Sequence, residues 1–356
     1  MGKPQRRPAG AVGPAFFGKL DTWLACRSEL DALLPDIAAL AATLSFLQRS
    51  EIKLWTPMTT AEPIDGICAD RECIRIVQVS DTHVSRKRAY FVDNWDVFVD
   101  EMSRTRPDLI VHSGDVAFDG AVDEDDLAFA RSEKDRLAAP WFAIPGNHDT
   151  GESPLAIRLQ QPINSERMER WQRHYGPSRW CRDLGAWRLI GIDTALLGSG
   201  HPEEEQQNQF LERSLRNRSG RPVMLFQHLP PFENDADDTA FTAAAVPYAL
   251  RGRLLEMCAR NEVAVIACGH LHVYRQMHYR GIQIVWAPAT SFFNIIEKQQ
   301  RGLAVPRAGY IEWFLDGRAI RHRLVEPPLM ITHDVGAWNA AMGSTTKLPP
   351  RPLLRG

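Results

Sequence analysis

"WFAIPGNHDTG", residues 141–151, runs an apolar, strand-like segment into a proline, a glycine and three adjacent polar side chains: Asn147, His148 and Asp149. Alone, such a stretch is a polar turn closing a buried strand. Its meaning depends on what other segments do at the same place. "CIRIVQVS" leads into Asp81-Thr82-His83 and "DLIVHS" into Gly114-Asp115. "PVMLFQ" leads into His228, and "EVAVIAC" into Gly269-His270-Leu271-His272. Each is an apolar run of strand length that stops at a cation-binding residue. Helical segments lie between them. "NWDVFVDEMSRTR" takes Asn94 as its N-cap, and "DEDDLAFARSEKDRL" carries acids in its first turn, where the helix dipole favours them. "PEEEQQNQFLERSLRNR" and a segment over 245–260 follow. After residue 268 the helices stop, and "VYRQMHYR", "IQIVWAP", "GYIEWFLDG" and "AIRHRLV" read as consecutive strands. A βα half followed by a β-rich half predicts an α/β fold of two sheets face to face, with helices outside.

In open α/β sheets the ligand crevice lies at the carboxyl ends of the strands. Five strand ends therefore bring Asp81, Asp115, Asn147 and the imidazoles of His83, His148, His228, His270 and His272 to one rim. Imidazole and carboxylate suit Zn, Mn and Fe. On an extended backbone, residues i and i+2 point the same way, so Asp81 and His83 can grip one ion, and His270 and His272 can serve two neighbouring ions. Asp115 has two oxygens and can bridge the ions. Asn147 adds a neutral oxygen, which limits the negative charge that a phosphate would face. The glycines before Asp115, Asn147 and His270 let backbone approach closely. Two ions about 3.5–4 Å apart clamp the attacking and leaving oxygens of an in-line displacement and lower the pKa of a bound water toward about 7. That water, rather than a Ser or Cys, is then the nucleophile.

The joint pattern resembles the calcineurin-like metallophosphoesterases, and within them the class III cyclic-nucleotide phosphodiesterases. The resemblance spans roughly residues 73–325. It implies a four-layer α/β/β/α sandwich and a binuclear centre with Asp81, His83, Asp115 and His272 on the first metal. Asp115, Asn147, His228 and His270 would hold the second, and His148 would contact the phosphate or assist the leaving group. The implied activity is hydrolysis of phosphodiesters, 3',5'-cyclic nucleotides among them, by metal-activated hydroxide. "GDVAFDG" lacks the Arg of the Ser/Thr protein phosphatases, and His83 with Phe118 departs from the purple acid phosphatase pattern. A phosphomonoesterase or nucleotidase with the same centre, and a non-catalytic interaction scaffold, are the alternatives.

The 356 residues, 44% hydrophobic and 24% charged, fit a globular protein, and a net charge of −2 gives no pull toward nucleic-acid polymers. A small-molecule phosphoester is the expected partner. Three regions are expected: a helical extension and linker over 1–70, the catalytic domain over 71–326, and a Pro-rich, irregular tail over 327–356. The extension reads as a packing or homo-oligomer element, or as a lid. The longest apolar stretch, 37–47, is too short to span a bilayer, and the N-terminus lacks a signal-peptide pattern. The six cysteines form no CxxC pair, so reduced thiols and a cytoplasmic location are expected, with Cys68 and Cys73 the one pair close enough in sequence to bridge. Asp149 reads as a carboxylate orienting an imidazole, His112 as a buried hydrogen-bonding residue, and His201 as a helix entry. Phe232, Phe292 and Phe293 read either as core or as a platform for a base.

Overall fold

The computed structural model describes residues 73–354, apart from 157–158, 241, 301 and 343–347. The helical extension, its lid and oligomer roles, and Cys68 lie outside the described residues. The first part of the described chain alternates strand and helix: β1 (Ile74–Val79), α1 (Val92–Thr105), β2 (Leu109–His112), α2 (Glu124–Lys134), β3 (Trp141–Ala143), α3 (Asn147–Thr150) and α4 (Ser165–Tyr175). A hairpin of β4 (Trp180–Leu184) and β5 (Trp187–Gly191) precedes α5 (Pro202–Arg216), β6 (Val223–Phe226), α6 (Tyr248–Arg260) and β7 (Val263–Cys268). Then come β8 (Arg275–Tyr279), β9 (Ile282–Trp286), β10 (Phe292–Phe293) and α7 (Ile295–Gln300). The last elements are β11 (Tyr310–Asp316), β12 (Ala319–Val325), β13 (His333–Asp334) and α8 (Val335–Met342).

Two large sheets result, ordered β12-β11-β1-β2-β3 and β4-β5-β6-β7-β9-β8. In each, the central strands run parallel and the outer hairpin strands antiparallel. Strand alternation builds the layers, because successive side chains face opposite sides of a sheet. Ile76 and Val111 of the first sheet join Leu189, Phe226 and Val265 of the second in one apolar cluster between the sheets. Val77 and Val79 turn the other way, onto Trp95 and Phe98 of α1. On the far side, Leu225 and Ile266 meet Leu211 and Leu215 of α5 and Leu254 and Leu255 of α6. Each such fully buried side chain contributes roughly 1.5–3 kcal/mol over an exposed one. The expected four-layer α/β/β/α sandwich is the observed one.

Several local expectations change. The four late strands do not stay together: β8 and β9 complete the second sheet, while β11 and β12 return to the edge of the first. Helices do not stop at β7, since α7 and α8 follow it, and α8 lies in the tail expected to be irregular. Asn94 does not cap α1, which begins two residues earlier. Its amide instead donates to Thr290 O (2.6 Å) and Ile331 O (2.8 Å), and its Oδ1 accepts from Ile331 N. A buried amide at that point satisfies two crossing segments of backbone, a stronger demand than one helix end. Cys73 is disulfide-bonded, so the thiols are not all reduced, whereas Cys181, Cys258 and Cys268 are free. No described helix is long and apolar enough to cross a membrane.

Candidate metal centre

The ligand-type residues leave the strands through left-handed turns. Asp81 (φ 52°), His83 (44°), Asp115 (56°), His270 (69°) and His272 (56°) all have positive φ. Such backbone costs about 1–3 kcal/mol per non-glycine residue and persists where the surroundings over-determine it. The i, i+2 argument from an extended strand is therefore corrected: Asp81 and His83 both adopt left-handed backbone beyond the end of β1, so strand alternation does not aim them. Hydrogen bonds from Asp81 N to Gly114 O (3.0 Å) and from His83 N to Asp115 O (3.1 Å) lay the first two loops side by side. Two glycines permit the close approach. A Cβ on Gly146 would sit 2.1 Å from Asp115 Oδ1, and one on Gly269 would sit 2.7 Å from Asp81 Oδ2.

All seven residues expected to bind metal are brought together. The ligand atoms of Asp81, His83, Asp115 and His272 form one group, and those of Asp115, His228 and His270 a second, with every pair within a group closer than 4.8 Å. Asp115 belongs to both. Its Oδ2 lies 3.5 Å from His83 Nε2 and 3.3 Å from His228 Nε2. His272 Nε2 is 3.2 Å from Asp81 Oδ1 and 3.4 Å from His83 Nε2. Asn147 Oδ1 joins the second group, 3.2 Å from His228 Nε2.

The outer hydrogen bonds decide what the inner atoms are. A carbonyl oxygen only accepts, so a ring nitrogen facing one must carry the proton. His272 Nδ1 donates to Phe292 O (2.6 Å), His228 Nδ1 to Ser113 O (2.9 Å) and His270 Nε2 to Ala243 O (3.0 Å). In the neutral ring the opposite nitrogen then presents a lone pair to the centre. Ring nitrogens, carboxylate oxygens and an amide oxygen thus converge on one place. Such a set suits cations, and its partners outside the centre are of the type that orients metal ligands. The residues fit two divalent ions.

Charge follows the same logic. Burial raises the Asp81 carboxyl, but His272 and His228 outweigh it and hold the group at about 2. Asp115 is likewise driven well below the usual carboxylate range, burial being overcome by His228 and His148. Burial and then His148 push His83 well down, and burial and then His228 bring His270 to about 3, so both rings are neutral. His228 is the exception. Burial lowers it, but Asp115 and Asp81 lift it to about 10.

The remaining residues fall into place individually. His148 lies outside both ligand groups; its Nδ1 donates to Phe118 O (2.7 Å) and its backbone N to Asp115 Oδ1 (2.9 Å). Asp149 orients no imidazole. Its carboxylate accepts from Gly146 N (2.8 Å), Ala117 N (3.0 Å) and Val116 N (3.1 Å), tying the loop of Asn147 to that of Asp115. His112 is fully buried against Thr82 Oγ1 (3.0 Å), and His201 caps α5 by accepting from Glu203 N (3.2 Å). Phe232 and Phe293 are core residues. Phe292 is only partly buried and its ring lies 4.8 Å from that of His83 and 4.6 Å from that of His272. The carbonyls of Ser113, Phe118, Ala243 and Phe292 were not found from sequence, because a backbone acceptor has no residue signature. Asp193, at the end of β5, was also passed over. It is buried and accepts from Ala195 N (2.8 Å), shaping the turn beside the centre.

Comparisons with known proteins identify the family. Residues 74–274 match the calcineurin-like phosphoesterase family. A protein of Xenorhabdus bovienii named as a probable cyclic nucleotide phosphodiesterase is 27% identical over 236 residues, 62% of this chain and 87% of that protein. A glycerophosphodiester phosphodiesterase of Enterobacter lignolyticus is 30% identical over 230 residues, 60% of this chain and 77% of that protein. Among solved structures, a purple acid phosphatase from yellow lupin (Lupinus luteus) seeds superposes with a TM-score of 0.53 at 12% identity. That likeness covers 80% of this chain and 57% of the lupin chain, and it speaks for the fold alone.

Proposed function

The chain belongs to the calcineurin-like phosphoesterases, and from that premise we propose that it hydrolyses phosphodiesters at a binuclear divalent-metal centre. Asp81, His83, Asp115 and His272 would hold one ion, and Asp115, Asn147, His228 and His270 the other. The observation that carries this reading is the sharing of Asp115 between two converging groups of nitrogen and oxygen ligand atoms. Iron, manganese and zinc suit such nitrogen and oxygen donors. Bound there, two ions supply Lewis acidity that acidifies an attacking water and offsets charge on the phosphoryl oxygens.

The chain's own residues divide the remaining work. Asp115 joins the two groups through one oxygen, Oδ2, while His148 N fixes the other. Asn147 completes the second group without adding negative charge, which eases the approach of an anionic diester. His148, pinned through Nδ1 on Phe118 O, turns its Nε2 to the substrate, where it contacts a phosphoryl oxygen or donates a proton to the leaving alcohol. Both sequence relatives described above carry phosphodiesterase names, which favours diesters, with cyclic nucleotides and glycerophosphodiesters the classes to test first. The catalytic domain is assigned to residues 71–326. The deciding experiment reconstitutes the purified chain with manganese, iron or zinc and compares bis-p-nitrophenyl phosphate with p-nitrophenyl phosphate. Higher kcat/KM for the diester is expected; a clear monoester preference overturns the diesterase reading.

A further inference from the structure

Residues 327–342 and 348–354 follow β12, the last strand of the two large sheets, and lie beyond the catalytic domain assigned above. They nevertheless brace every ligand that the first group does not share with the second. We propose that this C-terminal tail is part of the metal centre, a clamp that positions Asp81, His83 and His272 for the first ion, with Asp334 as its positioning residue. The proposal takes the two ions from the reading above and extends the functional unit past residue 326 to residue 354.

The clamp acts through the segment between β9 and α7. Phe292 O fixes His272 through its Nδ1–H, and Ser291 Oγ donates to Asp81 O (2.6 Å). Two ligands thus lean on adjacent residues. The tail holds the same segment from its other edge: β10 pairs in parallel with β13, Phe292 opposite His333 and Phe293 opposite Asp334. Asp334 Oδ1 accepts from Ile295 N (3.3 Å), just beyond β10, and from Gly336 N (3.1 Å) and Ala337 N (3.3 Å) in the first turn of α8. One carboxylate oxygen therefore ties the segment behind His272 to the helix of the tail. The fit is close, since a Cβ on Gly336 would sit 2.5 Å from Asn294 Oδ1.

The far end of the tail braces the third ligand. His83 opens the segment that leads to α1, and residues 351–353 run beside it. Ala89 N donates to Arg351 O (2.9 Å), Arg351 N to Lys87 O (2.9 Å) and Leu353 N to Arg86 O (2.8 Å). Rings connect the tail to the ligands. His333 lies 5.4 Å from Phe91, Phe91 5.2 Å from Phe292, and Phe292 4.8 Å from His83. The second group is braced from elsewhere: His228 leans on Ser113 O, His270 on Ala243 O, and the loop of Asn147 on Asp149. Loss of support behind a metal ligand costs about 10–100-fold in affinity. Here that loss should fall on one ion and spare the other.

The test separates the ions by removing one ligand from each group. His228→Ala leaves the first group intact, His272→Ala leaves the second, and calorimetric titration of each full chain with manganese alone reads the remaining site. Asp334→Ala should weaken manganese about tenfold in the His228→Ala chain and change it less than about twofold in the His272→Ala chain. Asp334→Asn keeps the accepting oxygen, so both affinities should stay within about twofold of their parents. Arg351→Pro deletes the N–H bonded to Lys87 O; it serves where Asp334→Ala does not fold, and should show the same selectivity. Equal losses at both sites, no loss at either, or a loss that Asp334→Asn shares, each overturns the clamp. Hydrogen exchange of the metal-free chain gives a reading that needs no ion. Asp334→Ala should speed exchange over 290–295 about tenfold and leave 146–151 unchanged, and the absence of that contrast also overturns the clamp. Failure of the unsubstituted chain to bind manganese, iron or zinc overturns the binuclear reading instead, and leaves the exchange contrast to decide the clamp.

Discussion

The two sheets contribute unequally to the rim they share. The first delivers both carboxylates, the amide and one imidazole, in Asp81, His83, Asp115 and Asn147; the second delivers only imidazoles, in His228, His270 and His272. Neither sheet holds a complete ligand group. Each also sets the charge of the other: Asp81 is held at about 2 by His272 and His228, and His228 is lifted to about 10 by Asp115 and Asp81. The centre is therefore a product of sheet packing. Negative charge concentrated on one sheet is tolerable because neutral or protonated rings of the other sheet face it.

The sharpest way to break this division is at the shared carboxylate. Asp115→Asn keeps the shape but removes the negative charge and one oxygen, and turnover should fall about 10³-fold or more. Metal content by elemental analysis should drop from two ions per chain to one or fewer. Two retained ions with near-normal turnover would remove Asp115 from its bridging role. Next in size is His148, which belongs to neither ligand group. His148→Ala should lower kcat by about 10²–10⁴, the usual weight of a general acid or base, with both ions retained. If the variant loses an ion instead, His148 is a ligand and the separation of binding from proton transfer is wrong.

A pH titration sharpens the contrast between the ligand groups. In the metal-free protein His228, raised to about 10, holds its proton at neutral pH. Its contribution to stability is full below the ordinary histidine value and is lost as pH rises through about 10. Asp81 is the opposite case: depressed to about 2, it stabilises the fold above the ordinary carboxylate range, and that is lost as pH falls through about 2. A metal must displace the His228 proton, so affinity for the ion of that group should rise about tenfold per pH unit between about pH 7 and 9. His83 and Asp81 need lose no proton there, so the other ion should show a shallower slope. Calorimetric metal titrations across this range check it, and equal slopes for both ions would count against the division.

Much of this was legible from local pattern. Each apolar run ending in Asp, Asn or His was a strand ending at the centre, because strand period and polar termination are both local properties. The fate of "GYIEWFLDG" and "AIRHRLV" was not, since returning to the first sheet depends on which edge is free after the other strands have paired. Asp149 was misread for a similar reason. Its partners Val116 and Ala117 lie over thirty residues away in another loop, and no spacing announces an amide that needs an acceptor. The left-handed turns at Asp81 and His272 were hidden too, because non-glycine residues adopt them only where long-range contacts hold the strain.

The smallest expected effect probes what holds the two sheets in register just behind the ligands. Gln78 is fully buried on the face of β1 between the sheets, an amide among apolar neighbours. Its Nε2 donates to Ser113 Oγ (3.0 Å), two residues before Asp115, and to Cys268 O (3.0 Å), two residues before His270. Its Oε1 accepts from Trp313 Nε1 (3.1 Å). One side chain thus links a ligand loop of each sheet. Gln78→Leu keeps the volume, removes these bonds and leaves the Trp313 N–H buried without an acceptor. Stability should fall by about 1–3 kcal/mol, read as a lower Tm. A purely structural loss would stop there. If Gln78 fixes the spacing of the two groups, affinity for the ion at His270 should also fall about tenfold, the scale seen when support behind a metal ligand is lost. A variant with lowered Tm and unchanged metal affinity would assign the register to the apolar cluster alone.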